Sequence, residues 1–333
     1  MTLNPTRPAP ADTIPPDVAA DPLHGPPAGP STIARAEGAS AAPGPALGDD
    51  CWFLAGPTAS GKSALGVKMA RELGAEIVSV DSMAVYRGLD VGTAKPTPEQ
   101  RRTVPHHLVD VVAPGESYSV ARWLADAAAA VERIRSLGRR VLFVGGTPLY
   151  LRALRDGLAA VPGEDPEFRR AAAAEVAAHG PARLHARLAE VDPDAAARIH
   201  PRDTKRIIRA LEVEQVTGIP LSRSLSPAPH PVFDRQLLVL DVPRSVLHDR
   251  IDRRVERMFT AGIVEETAAA LAASGGIGPT AIQAAGYAEA IDFLAGRIGR
   301  AAAILRTQQR TRQLAKRQCT WLRSFRTAIW ITA

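Results

Sequence analysis

The sequence lacks the features of secreted, membrane-spanning and zinc-binding proteins. Its 333 residues include only two cysteines, Cys51 and Cys319, which are too few for a disulfide framework or a thiolate zinc site. No apolar run reaches the ~18 residues that suggest a membrane-spanning helix, and the N-terminus has no charged-then-apolar secretion signal. We therefore expect a cytoplasmic protein with reduced thiols and no membrane contact.

Asparagine and aromatic side chains are also scarce. The single asparagine, Asn4, excludes the Asn-Lys-x-Asp motif that reads guanine in signalling GTPases and the catalytic-loop asparagine of protein kinases. The aromatic residues are 4 Trp, 4 Tyr and 7 Phe, which give no support to an RNA-binding platform of stacked rings.

Acidic residues are missing from the C-terminal end of the chain. From Phe293 onward there are nine arginines and lysines and no aspartate or glutamate. Residues 1–48 carry a net charge of −2 and the rest of the chain carries +8, which together give the net charge of +6. A basic body favours a polyanionic partner. The alternative is an arginine-rich composition without such a partner, since 36 arginines stand against 5 lysines.

Alternating apolar and helical patterns predict an α/β fold. Residues 1–48 hold 11 of the 28 prolines and are expected to be a disordered tail or sequence ahead of the true start codon. We predict strands at 52–55, 77–80, 141–144 and 237–240, and helices at 62–73, 119–137, from 245 onward and at 300–322. Residues 156–231 contain alanine- and arginine-rich helical segments (168–179, 181–190 and 203–217) without a convincing strand. We expect a core of 49–155 and 232–333, with 156–231 as an inserted all-helical domain.

A phosphate-binding loop follows the first predicted strand. Residues 56–63 read Gly-Pro-Thr-Ala-Ser-Gly-Lys-Ser and match G-x-x-x-x-G-K-[ST] in full, between a strand and a helix. Such a loop turns its backbone N–H groups toward a phosphate at the positive end of the helix. We therefore expect a P-loop NTPase-like sheet, with the diphosphate of a ligand held by Gly56, Thr58, Ala59, Ser60, Gly61, Lys62 and Ser63, and Mg²⁺ on Ser63.

Two aspartates end predicted strands. Asp81 follows residues 77–80 and Asp241 follows residues 237–240. Ligands of open parallel sheets bind beyond the carboxyl ends of the strands, so both side chains could face the loop. Asp241 has the place of a magnesium-holding acid in a P-loop ATPase. Asp81 could do the same or serve as a base.

A series of motifs resembles the tRNA dimethylallyltransferases, also called IPP transferases. Residues 80–96 read Val-Asp-Ser-Met-Ala-Val-Tyr-Arg-Gly-Leu-Asp-Val-Gly-Thr-Ala-Lys-Pro, and 105–110 read Pro-His-His-Leu-Val-Asp. Residues 144–150 read Val-Gly-Gly-Thr-Pro-Leu-Tyr, and 313–323 read Gln-Leu-Ala-Lys-Arg-Gln-Cys-Thr-Trp-Leu-Arg. Further matches lie at 198–201, 205–213 and 286–287. The resemblance covers roughly residues 51–331.

The resemblance implies a reaction and roles for named residues. The donor is dimethylallyl diphosphate, bound with Mg²⁺, and the acceptor is the exocyclic N6 amine of an adenosine beside the anticodon, on its 3′ side. Asp81 is expected to be the general base, while Lys62, Thr147 and Arg254 stabilise the departing pyrophosphate. Arg253 is an alternative to Arg254, because the two are adjacent. His106 and His107 have no third ligand at a metal-site spacing, so we expect packed or capping histidines.

The resemblance and the basic helical patterns also predict the tRNA contacts. On α-helical spacing, Arg306, Arg310 and Arg317 share one stripe of the last helix, and Arg312, Lys316 and Arg323 share another. Base-specific contacts are assigned to Ser82, Met83 and Gln283. The full predicted tRNA-binding set is Asp81, Ser82, Met83, Ala84, Thr147, Arg169, Lys205, Arg206, Arg209, Gln283, Gly286, Tyr287, Lys316, Arg317 and Arg323.

Three other functions remain as alternatives. One is an isopentenyltransferase acting on free AMP, and another is a P-loop small-molecule kinase that uses ATP and Asp241. The third is an RNA-binding ATPase switch without transferase chemistry. The expected partners are the anticodon stem-loop of tRNA and dimethylallyl diphosphate, and nothing in the sequence requires more than a monomer.

Overall fold

The computed structural model of the chain describes residues 44–158, 161–224 and 230–332. The strands are β1 (Cys51–Ala55), β2 (Ala75–Val80), β3 (His106–His107), β4 (Arg140–Gly145), β5 (Leu237–Asp241) and β6 (Ile329–Thr332). The helices are α1 (Lys62–Leu73), α2 (Pro98–Thr103), α3 (Val120–Ser136), α4 (Pro148–Asp156), α5 (Pro166–His179), α6 (Pro181–Val191), α7 (Pro193–Arg198), α8 (Thr204–Thr217), α9 (Leu221–Ser224), α10 (Pro231–Gln236), α11 (Arg244–Thr260), α12 (Ile263–Ala272), α13 (Tyr287–Leu294) and α14 (Arg300–Leu322).

The strands form one parallel sheet in the order β3-β2-β4-β1-β5-β6. This arrangement confirms the predicted α/β fold. Parallel strands run in the same direction, so the segments that follow β1, β2 and β4 leave the sheet at one edge. Because these three strands are neighbours, the phosphate-binding loop, Asp81 and Thr147 come from adjacent positions at that edge.

Both faces of the sheet are buried, which explains the continuous apolar runs of its strands. On one face, the rings of Phe53 in β1 and Phe143 in β4 stack with centroids 5.1 Å apart. Adjacent residues of a strand point to opposite faces, so Leu54, after Phe53, and Leu142, before Phe143, lie in a separate cluster on the other face. Trp123 of α3 is fully buried and donates from Nε1 to the carbonyl oxygen of Ser79 at 3.2 Å.

Helices α5 to α9 have a hydrophobic cluster of their own. Phe168, Leu184, Leu188, Ile207 and Leu211 are its main buried side chains. Residues 161–224 contribute none of the six strands. These observations support the proposed helical insertion, although its limits at 156 and 231 stay a prediction. Residues 159–160 and 225–229, near the two junctions, lie outside the described part of the chain.

The boundary proposed for the N-terminal tail is wrong at its C-terminal end. Leu47 is 8% exposed and belongs to the main hydrophobic cluster, and Arg135 donates from Nη1 to the carbonyl oxygen of Ala46 at 2.8 Å. Residues 44–48 therefore contribute to the folded core, in which Pro45 is buried as well as Leu47. Residues 1–43 of the predicted tail lie outside the described residues.

None of the helices within the described ranges is long and apolar enough to span a bilayer.

Candidate active site

The loop between β1 and α1 has the conformation of an anion cradle. Gly61 takes a φ of +93° at the N-terminus of α1, a conformation that favours glycine. Ala59 is also left-handed, with a φ of +64°, which costs a residue with a Cβ about 1–2 kcal/mol. Strained backbone of this kind is typical of ligand-binding loops. The loop brings backbone N–H groups to the positive end of α1, as the motif predicts.

The carboxylate of Asp81 lies just beyond β2 and is held by the backbone that follows it. Its Oδ1 accepts hydrogen bonds from the N–H groups of Met83 at 2.9 Å and Ala84 at 3.4 Å. Both donors bind the same oxygen, so Oδ2 has no protein donor among the residues that the structure describes. Thr147, beyond β4, accepts from the N–H of Ser82 at 3.0 Å. Neighbouring strand ends are thereby joined at the edge of the sheet.

Two cations reach the cradle and donate to uncharged oxygens. Lys62 donates to the carbonyl oxygen of Pro57 at 3.3 Å, and Arg254 of α11 donates to Thr58 Oγ1 at 3.1 Å. Burial lowers the pKa of Lys62 to about 8, against a smaller opposing effect of Asp81. Burial also lowers the pKa of Arg254. No salt bridge within 4.0 Å neutralises either side chain in the described ranges.

Arg253 and Arg254 occupy different environments in the structure. Arg254 lines the cavity beside the cradle, whereas Arg253 is exposed and is not among its lining residues. Consecutive residues of a helix point about 100° apart, so only one of two adjacent arginines can face a given site. Arg250, one turn before Arg254, donates to the carbonyl oxygen of Ser60 at 3.2 Å and steadies the loop.

A cavity of about 350 Å³ joins the cradle to the end of β2. Eleven of the predicted site residues line it, including the four predicted catalytic ones. They are Thr58, Lys62, Ser63, Asp81, Ser82, Met83, Ala84, Thr147, Arg254, Gln283 and Arg317. Gly56, Ala59, Ser60 and Gly61 belong to the same loop without lining the cavity. Asp241 is exposed at the end of β5 and does not line the cavity.

Glu266 of α12 is a structural residue that sequence reasoning missed. Its Oε2 accepts from the backbone N–H groups of Asp90 at 2.8 Å and Val91 at 2.9 Å, and Oε1 accepts from Tyr287 Oη at 2.7 Å. These bonds hold the segment that supplies residues 92–96 to the cavity wall. Partners separated by about 175 residues leave no periodic signal in a sequence.

Gln318 of α14 is a second residue whose role was missed. It is 8% exposed, its Oε1 accepts from the backbone N–H of Thr58 at 2.8 Å, and its Nε2 donates to the carbonyl oxygen of Gly146 at 2.8 Å. One side chain thus contacts both the cradle and the segment after β4. The motif at 313–323 contained this residue but did not reveal its contacts.

The predicted RNA contacts fall into two groups. Lys316, Arg317 and Arg323 are exposed on or beside the C-terminal half of α14, and Lys205 and Arg206 are exposed on α8. Three other arginines of α14 have acidic neighbours. Arg310 lies 3.3 Å from Glu289, Arg306 lies 3.9 Å from Asp292, and Arg312 pairs with Asp252.

The structure corrects the RNA-binding assignment of Gly286 and Tyr287. Gly286 is buried, and Tyr287 is fully buried with its hydroxyl on Glu266. Neither residue presents a surface to RNA. Their place in the motif reflects packing at the start of α13, where Glu289 caps the helix by accepting from the N–H of Gly286 at 3.1 Å.

Arg169 and Arg209 have a structural role that the sequence analysis did not foresee. Both bind Glu212, which is fully buried, with nitrogen–oxygen distances of 2.8 and 2.5 Å. Burial raises the pKa of Glu212, but the hydrogen bonds from the two arginines outweigh it and hold the pKa below its ordinary value. Their assignment as RNA contacts stays a prediction, since both guanidinium groups remain partly exposed.

The two histidines have protein partners, as expected for packed side chains. His106 Nδ1 lies 2.7 Å from the carbonyl oxygen of Val104, and His107 Nε2 lies 2.7 Å from Glu76 Oε2. Burial lowers the pKa of His106. No group of three or more histidine, cysteine, aspartate or glutamate side chains suited to a metal ion occurs within the described residues.

The chain is similar to known proteins over most of its length. A family model described as IPP transferase matches residues 84–325, and one described as isopentenyl transferase matches residues 50–109. A tRNA dimethylallyltransferase of Anaeromyxobacter dehalogenans (strain 2CP-C) is 50% identical over 280 residues, covering 84% of this chain and 93% of that protein. The chain belongs to the IPP transferase family.

Solved structures of IPP transferases extend the comparison. The tRNA isopentenylpyrophosphate transferase of Bacillus halodurans shares 38% identity and a TM-score of 0.62, covering 86% of this chain and 90% of its own. A eukaryotic dimethylallyltransferase acting on tRNA shares 26% identity and a TM-score of 0.67, covering 84% of this chain and 73% of its own. These likenesses confirm the predicted family and the P-loop-like α/β fold.

Proposed function

We propose that this protein transfers a dimethylallyl group from dimethylallyl diphosphate to the N6 amine of the adenosine on the 3′ side of the anticodon in tRNA, releasing pyrophosphate. One observation carries the proposal. The cations of a phosphate cradle and a carboxylate with an unbonded oxygen open into the same cavity, in a chain of the IPP transferase family. The tRNA-modifying names of its relatives fit this reaction.

The donor's diphosphate binds at the cradle. The backbone N–H groups of the loop, Lys62 and Arg254 surround it, and all of these donors are present before the ligand arrives. Donors that are fixed in advance stabilise the charge that grows on the leaving oxygen without a reorganisation cost at the moment of reaction. Thr147 lines the same cavity and adds a hydroxyl on the side of β4.

Mg²⁺ fits this site through the diphosphate. This ion is held by one or two protein oxygens, substrate phosphates and water rather than by a cage of side chains. The Ser63 hydroxyl lines the cavity at the first turn of α1 and suits that pattern. When bound there, Mg²⁺ would neutralise part of the charge on the diphosphate.

Asp81 acts at the acceptor end. The adenine N6 amine is a weak nucleophile because its lone pair is delocalised into the ring. As the bond from N6 to C1 of the donor forms, the C1–O bond breaks, its electron pair leaves with pyrophosphate, and the N6 proton goes to Asp81. The unbonded Oδ2 is the oxygen that receives this proton. Ser82, Met83, Ala84 and Gln283 line the cavity near the base and would select adenine.

The exposed cations favour an RNA substrate over a mononucleotide. An adenosine in the loop must leave its stack to enter the cavity, which costs a few kcal/mol. Contacts with the RNA backbone offset that cost, and Lys316, Arg317 and Arg323 extend from the cavity along α14 for this purpose. Helix α8 contributes two further exposed cations, Lys205 and Arg206. A transferase acting on free AMP has no use for such a surface.

The position of Asp241 does not support the kinase alternative. Its magnesium-holding acid would be Asp241, which is exposed and outside the cavity.

Transfer of labelled dimethylallyl from its diphosphate to an unmodified anticodon stem-loop and, in parallel, to AMP tests the proposal. We expect rapid labelling of the stem-loop with Mg²⁺ and little labelling of AMP. A stem-loop with purine riboside at the target position lacks the amine and should stay unlabelled. Labelling of AMP alone would overturn the proposal in favour of an enzyme of free nucleotides.

A further inference from the structure

Helix α14 connects the proposed RNA surface directly to the phosphate cradle. Lys316 and Arg317 are exposed on this helix, and Arg317 also lines the cavity. The next residue, Gln318, turns inward and binds the backbone N–H of Thr58, 260 residues earlier in the chain. A helix is stiff over this distance, so a displacement of the arginine backbone also displaces the glutamine.

The environment of Gln318 leaves it little freedom. Its amide bonds to Thr58 and Gly146, at 2.8 Å each, place one end on the cradle and the other on the segment after β4. A Cβ added to Gly146 would lie 2.9 Å from Nε2 of Gln318 and 2.5 Å from the carbonyl oxygen of Gly56. The glutamine is therefore packed against Gly146, which precedes Thr147, and is bonded to the cradle at Thr58.

We propose that Gln318 is a positioning residue that couples tRNA binding on α14 to diphosphate binding in the cradle. The inference rests on the proposed function, because it takes the anticodon stem-loop as the ligand of α14. When RNA binds Lys316 and Arg317, it restrains α14, and Gln318 passes that restraint to the Thr58 backbone and to the neighbouring N–H groups that face the diphosphate. Coupling between two binding sites is reciprocal, so diphosphate strengthens RNA binding by the same factor.

The coupling is measurable with inorganic pyrophosphate, which cannot react with an unmodified stem-loop. Its dissociation constant is measured with Mg²⁺ in the absence and presence of saturating stem-loop. In the parent enzyme we expect RNA to tighten pyrophosphate binding by a factor within the usual range for coupled sites, roughly 5- to 150-fold. In Gln318→Met, which keeps the length and loses both hydrogen bonds, that factor should fall close to 1.

A matched control separates positioning from mere stability. Gln313→Met makes the same exchange on the same helix at an exposed position and should leave the coupling factor unchanged. If Gln318 served only to stabilise the fold, Gln318→Met would lower the unfolding temperature and weaken binding equally with and without RNA. An unchanged factor in Gln318→Met would overturn the inference.

Hydrogen exchange provides a test that needs no variant. In the parent enzyme without pyrophosphate, stem-loop binding should slow amide exchange in the peptide that contains Thr58. Unchanged exchange there would contradict the coupling. The prenyl-transfer assay is independent of both measurements: transfer with a coupling factor of 1 refutes this inference alone, whereas a coupled enzyme that transfers nothing refutes the proposed reaction alone.

Discussion

In the cavity, Lys62 and Arg254 donate to uncharged oxygens, whereas in the helical region Arg169 and Arg209 converge on the buried carboxylate of Glu212. The first pair keeps its positive potential available for a ligand. The charge of the second pair is neutralised inside the protein, because a buried carboxylate requires cations and hydrogen bonds. Burial alone therefore does not tell a binding cation from a structural one.

The partner decides the role of each cation. An arginine that is hydrogen-bonded to a hydroxyl or carbonyl oxygen can exchange that bond for a phosphate at little cost. An arginine that holds a buried carboxylate cannot leave it without exposing an uncompensated charge. We therefore expect the diphosphate to bind Lys62 and Arg254. Replacing Glu212 should change the free energy of unfolding without changing donor affinity.

The largest expected effect concerns Asp81, the carboxylate whose charge raises the pKa of both Lys62 and Arg254. If it is the general base, Asp81→Asn keeps Oδ1 as the acceptor for Met83 and Ala84 but cannot take the N6 proton. The single-turnover rate of prenyl transfer should drop by roughly 10² to 10⁴, the usual contribution of a positioned base. Donor affinity should change little.

Asp241→Asn is the matched control, because Asp241 also ends a strand and lies outside the cavity. It should leave the rate within about twofold of the parent, as a surface substitution does. If Asp81 is instead a counter-ion for Lys62 and Arg254, its replacement would change donor affinity rather than the chemical step. A near-parental rate in Asp81→Asn would show that the base assignment is wrong.

The next effect compares two adjacent arginines. Arg254→Met removes a cation from the cavity and keeps the length of the side chain, so donor affinity should fall. A hydrogen bond to a charged group contributes about 1.5–3 kcal/mol, which corresponds to roughly 10- to 150-fold in the dissociation constant. Arg253→Met should change it by less than about twofold, since Arg253 is exposed. Calorimetric titration measures the donor affinity of both variants. An equal loss of affinity in the two would contradict the assignment of Arg254 as the diphosphate contact.

The smallest effect is expected for Glu212→Gln. It should lower the free energy of unfolding by about 2 kcal/mol, below the usual 3–5 for a broken buried pair because Arg169 is one-third exposed. The pKa of Glu212 is lowered in the folded protein, so its contribution is present at neutral pH and disappears as the pH falls below the ordinary value of 4.5. Urea unfolding at pH 7 and at acidic pH measures this difference. A loss that persists unchanged in acid would refute the ion-pair explanation.

The elements with strong local signals could be predicted from the sequence. Helix α1 is closed by Gly74 in a left-handed conformation, and α3 begins where the hydroxyl of Ser119 accepts from the N–H of Arg122. Both helix ends were expected within a residue or two. The cradle was equally predictable, because all of its residues are consecutive and its chemistry depends on the backbone.

Contacts between distant segments could not be predicted. The bonds of Gln318 to the cradle and of Glu266 to the segment at 90–92 join residues that are more than 170 positions apart. Arg209 and Glu212 share a helix at i,i+3, a spacing that predicts an ion pair, but the completion of the group by Arg169 depends on how α5 packs against α8. A basic residue in a sequence is therefore ambiguous until its partners are known.

Separate titrations of dimethylallyl diphosphate and ATP, each with Mg²⁺, test the central claim most directly. A cavity of about 350 Å³ that places Asp81 opposite Lys62 and Arg254 should bind the prenyl diphosphate clearly more tightly than ATP, and the preference should persist without RNA. Clear preference for ATP would contradict the account, because it would make the cradle a nucleotide site and leave Asp81 without an acceptor to deprotonate.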